Sequence, residues 1–370
     1  MKKTLSLSLI LGILLSIFAC QKNDGYVIKG TTHGIDSGWV SLMKRTDGKI
    51  ITVDSTQIKN GKFEMKGKVE LPELYVLAFK NHEGKLPFFI ENSTITMDIK
   101  MDSLEATKVK GSKTNDEYEA YIKGMDKFEE QFKQLKPEYM QAEQAKDTAK
   151  ISEITKKWDE VQGEQDKYTK DYISKNTKSV IAAFLALQNI FSIDFEELQK
   201  MNKNFDASIA NSVYVKKLKE REEVLGKIQI GQQAPDFSLP NPEGKEVALK
   251  ELRGKVVLVD FWASWCRPCR LENPNVVAAY KKFSPKGFTV LGVSFDEDKD
   301  KWVEAIKKDG LTWTHVSDLK GWQNAAGKLY GIMSVPSNVL LDKEGKIIAK
   351  NLREAELHKK LEEVFAAEKK

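Results

Sequence analysis

The chain has 370 residues, with 59 basic and 54 acidic side chains and a formal net charge of +5 at neutral pH. At 41% hydrophobic and 31% charged residues it has ample apolar material for a core, and its length suggests two or three domains. The charges are interspersed and no Lys/Arg block carries interleaved aromatics, which argues against a nucleic-acid partner, while three cysteines and four scattered histidines argue against a metal enzyme.

Taken in order, Lys2 and Lys3 open the chain and an apolar run follows from Leu5 to Ala19. That run is short of the ~20 residues a spanning helix needs. It ends Ile17-Phe18-Ala19-Cys20, which resembles a bacterial lipoprotein signal, with a branched aliphatic and a small residue ahead of the cysteine that is lipidated after cleavage. Residues 1–20 are therefore expected to be a signal peptide and Cys20 the lipidation site. The protein is then expected on the periplasmic side of the cell envelope, held to a membrane by its lipid, in a compartment where disulfides persist. The alternative is an ordinary signal peptide or an uncleaved anchor.

Residues 21–110 read as β. Asp47-Gly48 and Asn60-Gly61 separate alternating or β-branched runs, and both dipeptides favour the left-handed turns of two-residue hairpins. Short strands with regular turns suggest an antiparallel β-sandwich. Asp36, Asp47, Asp54 and Asp102 lack metal-loop spacing and read as turn residues.

Residues 111–225 read as a helical region. Tyr118, Tyr121, Met125, Phe128, Phe132 and Leu135 recur at three- and four-residue steps until Pro137 breaks the pattern. Ile151, Ile154, Trp158, Val161, Tyr168 and Tyr172 repeat it, so two helices are expected to pack as an antiparallel hairpin. The run from Val180 to Leu187 is apolar all round and should be buried, and the charge run Lys216 to Arg221 reads as a solvated helix face.

Residues 226–370 read as an α/β domain, entered through a linker over 226–235. The short β-branched run Val256-Val257-Leu258-Val259 reads as a buried strand, and a helix is expected from Arg270 to Phe283. Between them lies Trp265-Cys266-Arg267-Pro268-Cys269. Two cysteines separated by two residues, at the point where a strand hands over to a helix N-terminus, can close and reopen a small disulfide ring. The unpaired N–H groups and positive dipole end there stabilise a thiolate, the attacking species in disulfide exchange. A zinc ribbon lacks its second ligand pair, and a covalent haem would need His where Arg270 stands. An inert structural bridge would close almost no loop and restrict the unfolded chain little.

These motifs resemble the thioredoxin superfamily, and within it the envelope thiol–disulfide oxidoreductases of the TlpA/ResA type. The resemblance spans Gly231 to Lys370 and rests on Gly231-Gln232-Gln233-Ala234-Pro235-Asp236-Phe237, on Phe261 through Pro274, and on Val335-Pro336-Ser337. The front part resembles a domain of unknown function, DUF4369, often fused to such domains. The resemblance implies a C-terminal thioredoxin fold and no cofactor. It implies that Cys266 is the exposed nucleophile and Cys269 the buried resolving thiol, with Trp265 and Pro268 shaping the turn. Pro336 is expected to be cis, turning the Val335 backbone toward substrate. Asp260 matches the buried carboxylate beneath the pair in thioredoxin, where many TlpA-type relatives have Asn, and implies a proton relay for Cys269. A satisfied structural Asp is the plainer reading of that residue. Glu272 also fits the type's pattern, with helix-face solvation or a proton role both open.

The expected activity is reduction of protein disulfides, for instance to keep cytochrome-assembly thiols reduced, with electrons drawn from a membrane thiol donor. Two other readings stay open. A thiol peroxidase would share the fold, but Val259 and Ala263 stand where its Pro and Thr/Ser would be. A partner-binding envelope scaffold with an appended redox domain would give work to residues 26–225.

Overall fold

The computed structural model describes residues 24–46 and 48–367. Cys20, the signal segment and Asp47 lie outside the described residues. Two compact units result: one runs up to Tyr172 and takes in Ser179–Ile181, and the other comprises Ile173–Lys178 and everything from Ala182 onward.

The first unit begins with eight strands: β1 (Tyr26–His33), β2 (Ser37–Thr46), β3 (Lys49–Lys59), β4 (Lys62–Gly67), β5 (Glu73–Phe79), β6 (Lys85–Ile90), β7 (Thr94–Lys100) and β8 (Lys108–Lys110). Their order is β6-β5-β2-β3-β4-β1-β7-β8. The halves β6-β5-β2-β3 and β4-β1-β7-β8 join only at Lys59↔Lys62, across the turn in which Asn60 and Gly61 both take left-handed backbone (φ 50° and 68°). The period-2 burial of β1, β4 and β7 places Ile28, Met65 and Met97 in one apolar core with Val40, Leu42 and Leu77 of the other half. Pairing within the first half is antiparallel throughout, but β1 and β7 run parallel, with Val27 opposite Thr94. That pair departs from the all-antiparallel arrangement read from the hairpin signals, which report only on neighbours in sequence.

Helix α1 (Lys113–Gln144) is capped by Ser112, whose hydroxyl accepts from Asn115 N. Asn115 also clamps the β6 backbone, accepting from Phe89 N at 2.9 Å and donating to Phe89 O at 2.6 Å. Helix α1 does not end at Pro137, as the broken periodicity suggested, but runs through it. The proline forfeits one helix bond, a cost of about 3 kcal/mol. The good helix formers that follow and the burial of Ala142 hold the last turns in place. Helix α2 (Thr148–Lys175) returns antiparallel to it: Tyr121 meets Tyr168 and Tyr172, and Phe132 meets Trp158. The aromatic stripe is core packing between the two helices.

In the second unit, α3 (Val180–Gln188) is almost wholly buried, as its uniform apolarity requires. Helices α4 (Phe195–Asn204) and α5 (Val213–Lys227) follow, then a small hairpin of β9 (Ser238–Pro240) and β10 (Glu246–Ala248). The main sheet contains β11 (Val256–Trp262), β12 (Phe288–Ser294), β13 (Thr314–Val316), β14 (Ser337–Leu341) and β15 (Ile347–Lys350), in the order β13-β12-β11-β14-β15. Strand β11 is central, parallel to β12 and antiparallel to β14, and every one of its residues is buried. Burial on both faces explains a run with no polar alternation. Helices α6 (Arg267–Phe283), α7 (Lys299–Asp309), α8 (Ala325–Leu329) and α9 (Glu354–Ala367) complete the unit. This is the thioredoxin-like α/β arrangement that the resemblance implied.

Candidate active site

Helix α6 starts at Arg267, three residues before the sequence expectation, so Cys269 lies in its first turn and Cys266 is its N-cap. The two are joined as a disulfide with their Cα atoms 5.3 Å apart. Cys266 Sγ also accepts from Cys269 N at 3.2 Å. A sulfur in that position faces the positive end of the helix dipole, a stabilisation of about 0.3–1 kcal/mol for an anion. Pro268 sits in the first turn, where a missing N–H costs no helix bond.

Cys266 was expected to be exposed, yet it is only 3% accessible, against 1% for Cys269. In the disulfide its sulfur is turned inward to Cys269, and Trp265, Arg267 and Pro268 form the outer surface. Trp265 is 56% exposed.

The Val335–Pro336 peptide is cis. It immediately precedes β14, whose Ser337 pairs with Phe261 and whose Asn338 pairs with Asp260. The sheet register therefore sets the Val335-Pro336 segment beside the end of β11, from which the redox turn departs. Asp260 is buried on β11, and desolvation pushes its carboxyl up to about 7. Arg353 opposes that shift and Glu272 adds to it. Glu272 itself accepts from Glu354 N at 2.9 Å and from Asn275 Nδ2 at 2.8 Å, so it caps the start of α9 as well as lending charge to the site.

Three holding contacts escaped the sequence reading. Asp296, in the turn after β12, is 1% exposed and accepts from Ser264 N, Ser264 Oγ and Ser294 Oγ. Asp309, at the end of α7, receives both Nε and Nη2 of Arg270, plus Asn273 Nδ2 at 2.6 Å. Arg270 Nη1 donates in turn to Ser264 O at 3.0 Å. The turn before Cys266 is thus gripped from both sides. Arg221, read from sequence as part of a solvated face, is half-buried on α5 and donates to Gly331 O, five residues before the cis proline. Its charge run faces water only in part, because α5 packs against the sheet domain through Leu225. A carboxylate just past the C-terminal end of a parallel strand was the one available hint, since open α/β sheets place their sites there.

Among the described residues no group of His, Cys, Asp and Glu could hold a metal ion, and no helix is long and apolar enough to cross a membrane. The arrangement can exchange a disulfide: one sulfur sits at a helix N-terminus with a partner sulfur in bonding contact, and a protonatable carboxyl is buried on the strand that leads into the turn.

Residues 230–350 match the AhpC/TSA family, and residues 26–118 match the domain of unknown function DUF4369. The thiol-disulfide oxidoreductase ResA of Bacillus thuringiensis (strain Al Hakam) is 37% identical over 122 residues, which are 33% of this chain and 69% of that protein. The thioredoxin-like protein YneN of Bacillus subtilis (strain 168) is 42% identical over 123 residues, 32% of this chain and 69% of that protein. A solved thiol-disulfide oxidoreductase from Bacteroides fragilis is 38% identical, covering 36% of this chain and 98% of that one, with a TM-score of 0.34.

Proposed function

From a chain that belongs to the TlpA/ResA-like thiol–disulfide oxidoreductases, we propose a protein-disulfide reductase that works through Cys266 and Cys269 and is held at the cell envelope by a lipid on Cys20. The observation that carries this reading is the Cys266–Cys269 bridge at the N-terminus of α6, with the cis Val335–Pro336 segment beside the strand that leads into it.

In the reduced chain the Cys266 thiolate attacks one sulfur of a substrate disulfide. That S–S bond breaks, a mixed disulfide forms, and the substrate's other sulfur leaves as a thiolate. Cys269 then gives up its proton, with Asp260 as the acceptor. Its thiolate attacks Cys266 Sγ and releases the second substrate thiolate. Two electrons have moved to the substrate, and the chain is left as the disulfide seen here. A membrane thiol donor restores the dithiol. Substrates are disulfides of envelope proteins, those of cytochrome-assembly proteins among them, and the Val335 backbone offers an extended segment a strand-like partner.

Two variants test the mechanism. Cys266→Ala abolishes reduction of insulin disulfides, and unchanged activity would rule the mechanism out. Cys269→Ala accumulates a mixed disulfide through Cys266, whose partner mass spectrometry identifies. Cys20→Ala moves the protein from the membrane fraction to the soluble fraction, and continued membrane association would remove the lipid anchor.

A further inference from the structure

An exposed indole lies beside the redox turn and has no part in the exchange chemistry described above. Trp322 is 47% exposed, and its ring centroid is 6.1 Å from that of Trp265, the residue before Cys266. Its inner side packs on buried Phe295 at 5.1 Å. One side of the ring is anchored on Phe295 and the rest is left in water beside Trp265, the residue that precedes Cys266.

The loop that carries Trp322 is rigid and strained. Ser317 Oγ donates to Ser294 O, and buried Asn324 donates to Asp318 Oδ1 and caps α8 through Gly327 N. Two residues adopt left-handed backbone. Leu319 (φ 53°) pays the steric cost of its Cβ there, and Gly321 (φ 53°) takes up the same region without one. A strained segment that holds a large apolar ring half in water gains nothing from that exposure in folding, and such strain collects at binding sites.

We propose that Trp322 and Trp265 form a docking ledge for an aromatic or large aliphatic side chain flanking the attacked cysteine of a protein disulfide. The ledge is continuous with the redox turn, so its occupant belongs to the same polypeptide as the sulfur that meets Cys266. Pairing between aromatic rings prefers centroid separations of 4.5–7 Å in offset or tilted geometry. The two indoles hold a tilted arrangement of that kind in the absence of substrate. The ledge thus selects among disulfides by what stands next to the cysteine. This inference rests on the reading of Cys266 as the attacking sulfur.

The test uses the full chain, reduced with dithiothreitol and desalted, in single turnover against two symmetric disulfide-linked peptide dimers. They differ only in having Trp or Ser beside the cysteine, and thiol release is followed. The wild-type chain reduces the Trp dimer about tenfold faster, the effect of one good aromatic contact. Trp322→Ala brings that ratio close to one, while its rate on the Ser dimer stays within about twofold of wild type. Trp322→Phe retains most of the ratio, which separates loss of the ledge from collapse of the loop. Equal rates on both dimers in the wild-type chain, or an unchanged ratio in Trp322→Ala, would overturn the ledge and leave the reductase standing. Failure of the wild-type chain to reduce either dimer would overturn both.

Discussion

Asp296 holds Ser264 at two points, taking its backbone N–H on Oδ2 at 2.9 Å and its hydroxyl on Oδ1. Ser264 lies two residues before Cys266, so this buried carboxylate fixes where the redox turn leaves β11. Asp296→Asn keeps the volume but offers one acceptor oxygen in place of two, so one of the three serine donors loses its partner. The expected cost is about 1–3 kcal/mol in urea unfolding, with slower peptide-disulfide reduction. An unaltered midpoint together with an unaltered rate would show that the turn holds without this grip.

Asp260 makes stability depend on pH in an unusual direction. Its folded pKa of about 7 lies above the unfolded carboxylate value near 4. Across that window the folded chain holds a proton that the unfolded chain has released. Stability therefore falls as pH rises from about 4 through about 7. Asp260→Asn removes the effect: the variant matches wild type at about pH 3 and exceeds it by a few kcal/mol at about pH 9. Unfolding curves at the two ends of the range check this. In reduced chain the same variant should accumulate mixed disulfide if Asp260 takes the Cys269 proton as proposed.

His315 acts in the opposite sense. It is buried on β13 against Trp262 and Trp313, and burial pushes its imidazole down to about 3, against a smaller upward pull from the Leu311 backbone. The unfolded chain takes up this proton near pH 6.5 and the folded chain does not, so stability is lost as pH falls from about 6.5 through about 3. His315→Phe keeps a ring between the two indoles and removes the titration. Its advantage over wild type should grow on acidification and reach about 3 kcal/mol at pH 4. Parallel acid-unfolding curves for the two proteins would contradict that assignment.

The parts of the molecule legible in the sequence are those written locally. Asn60-Gly61 marks its turn because only a few residue types tolerate left-handed backbone. Val256–Val259 marks a central strand because burial on both faces demands an unbroken apolar run. The redox pair is local as well, two cysteines and a strand-to-helix junction within a few residues. What stayed hidden depends on distant segments meeting. Asp296 and Asp309 each hold the turn before Cys266 from a loop or helix end more than thirty residues away. Nothing next to Asp296 or Asp309 in sequence announces that partner. Arg221 belongs to the same charge run as Lys216 and Lys219 and differs in the face of α5 on which it falls. The burial of Cys266 follows from the packing around the turn, which residue order does not record.

The parallel pairing of β1 with β7 has a further consequence, for synthesis. Its register joins Val27 to Thr94 and His33 to Lys100, so one edge of the first strand made stays without its neighbour until a long stretch of chain has followed. Contacts so far apart in sequence form slowly, because the loop between them must be ordered first. The β unit therefore completes its sheet only after most of it has emerged, and Ile28 waits exposed for Ile95 in the meantime. That interval is when a nascent chain of this protein most needs shielding from its neighbours.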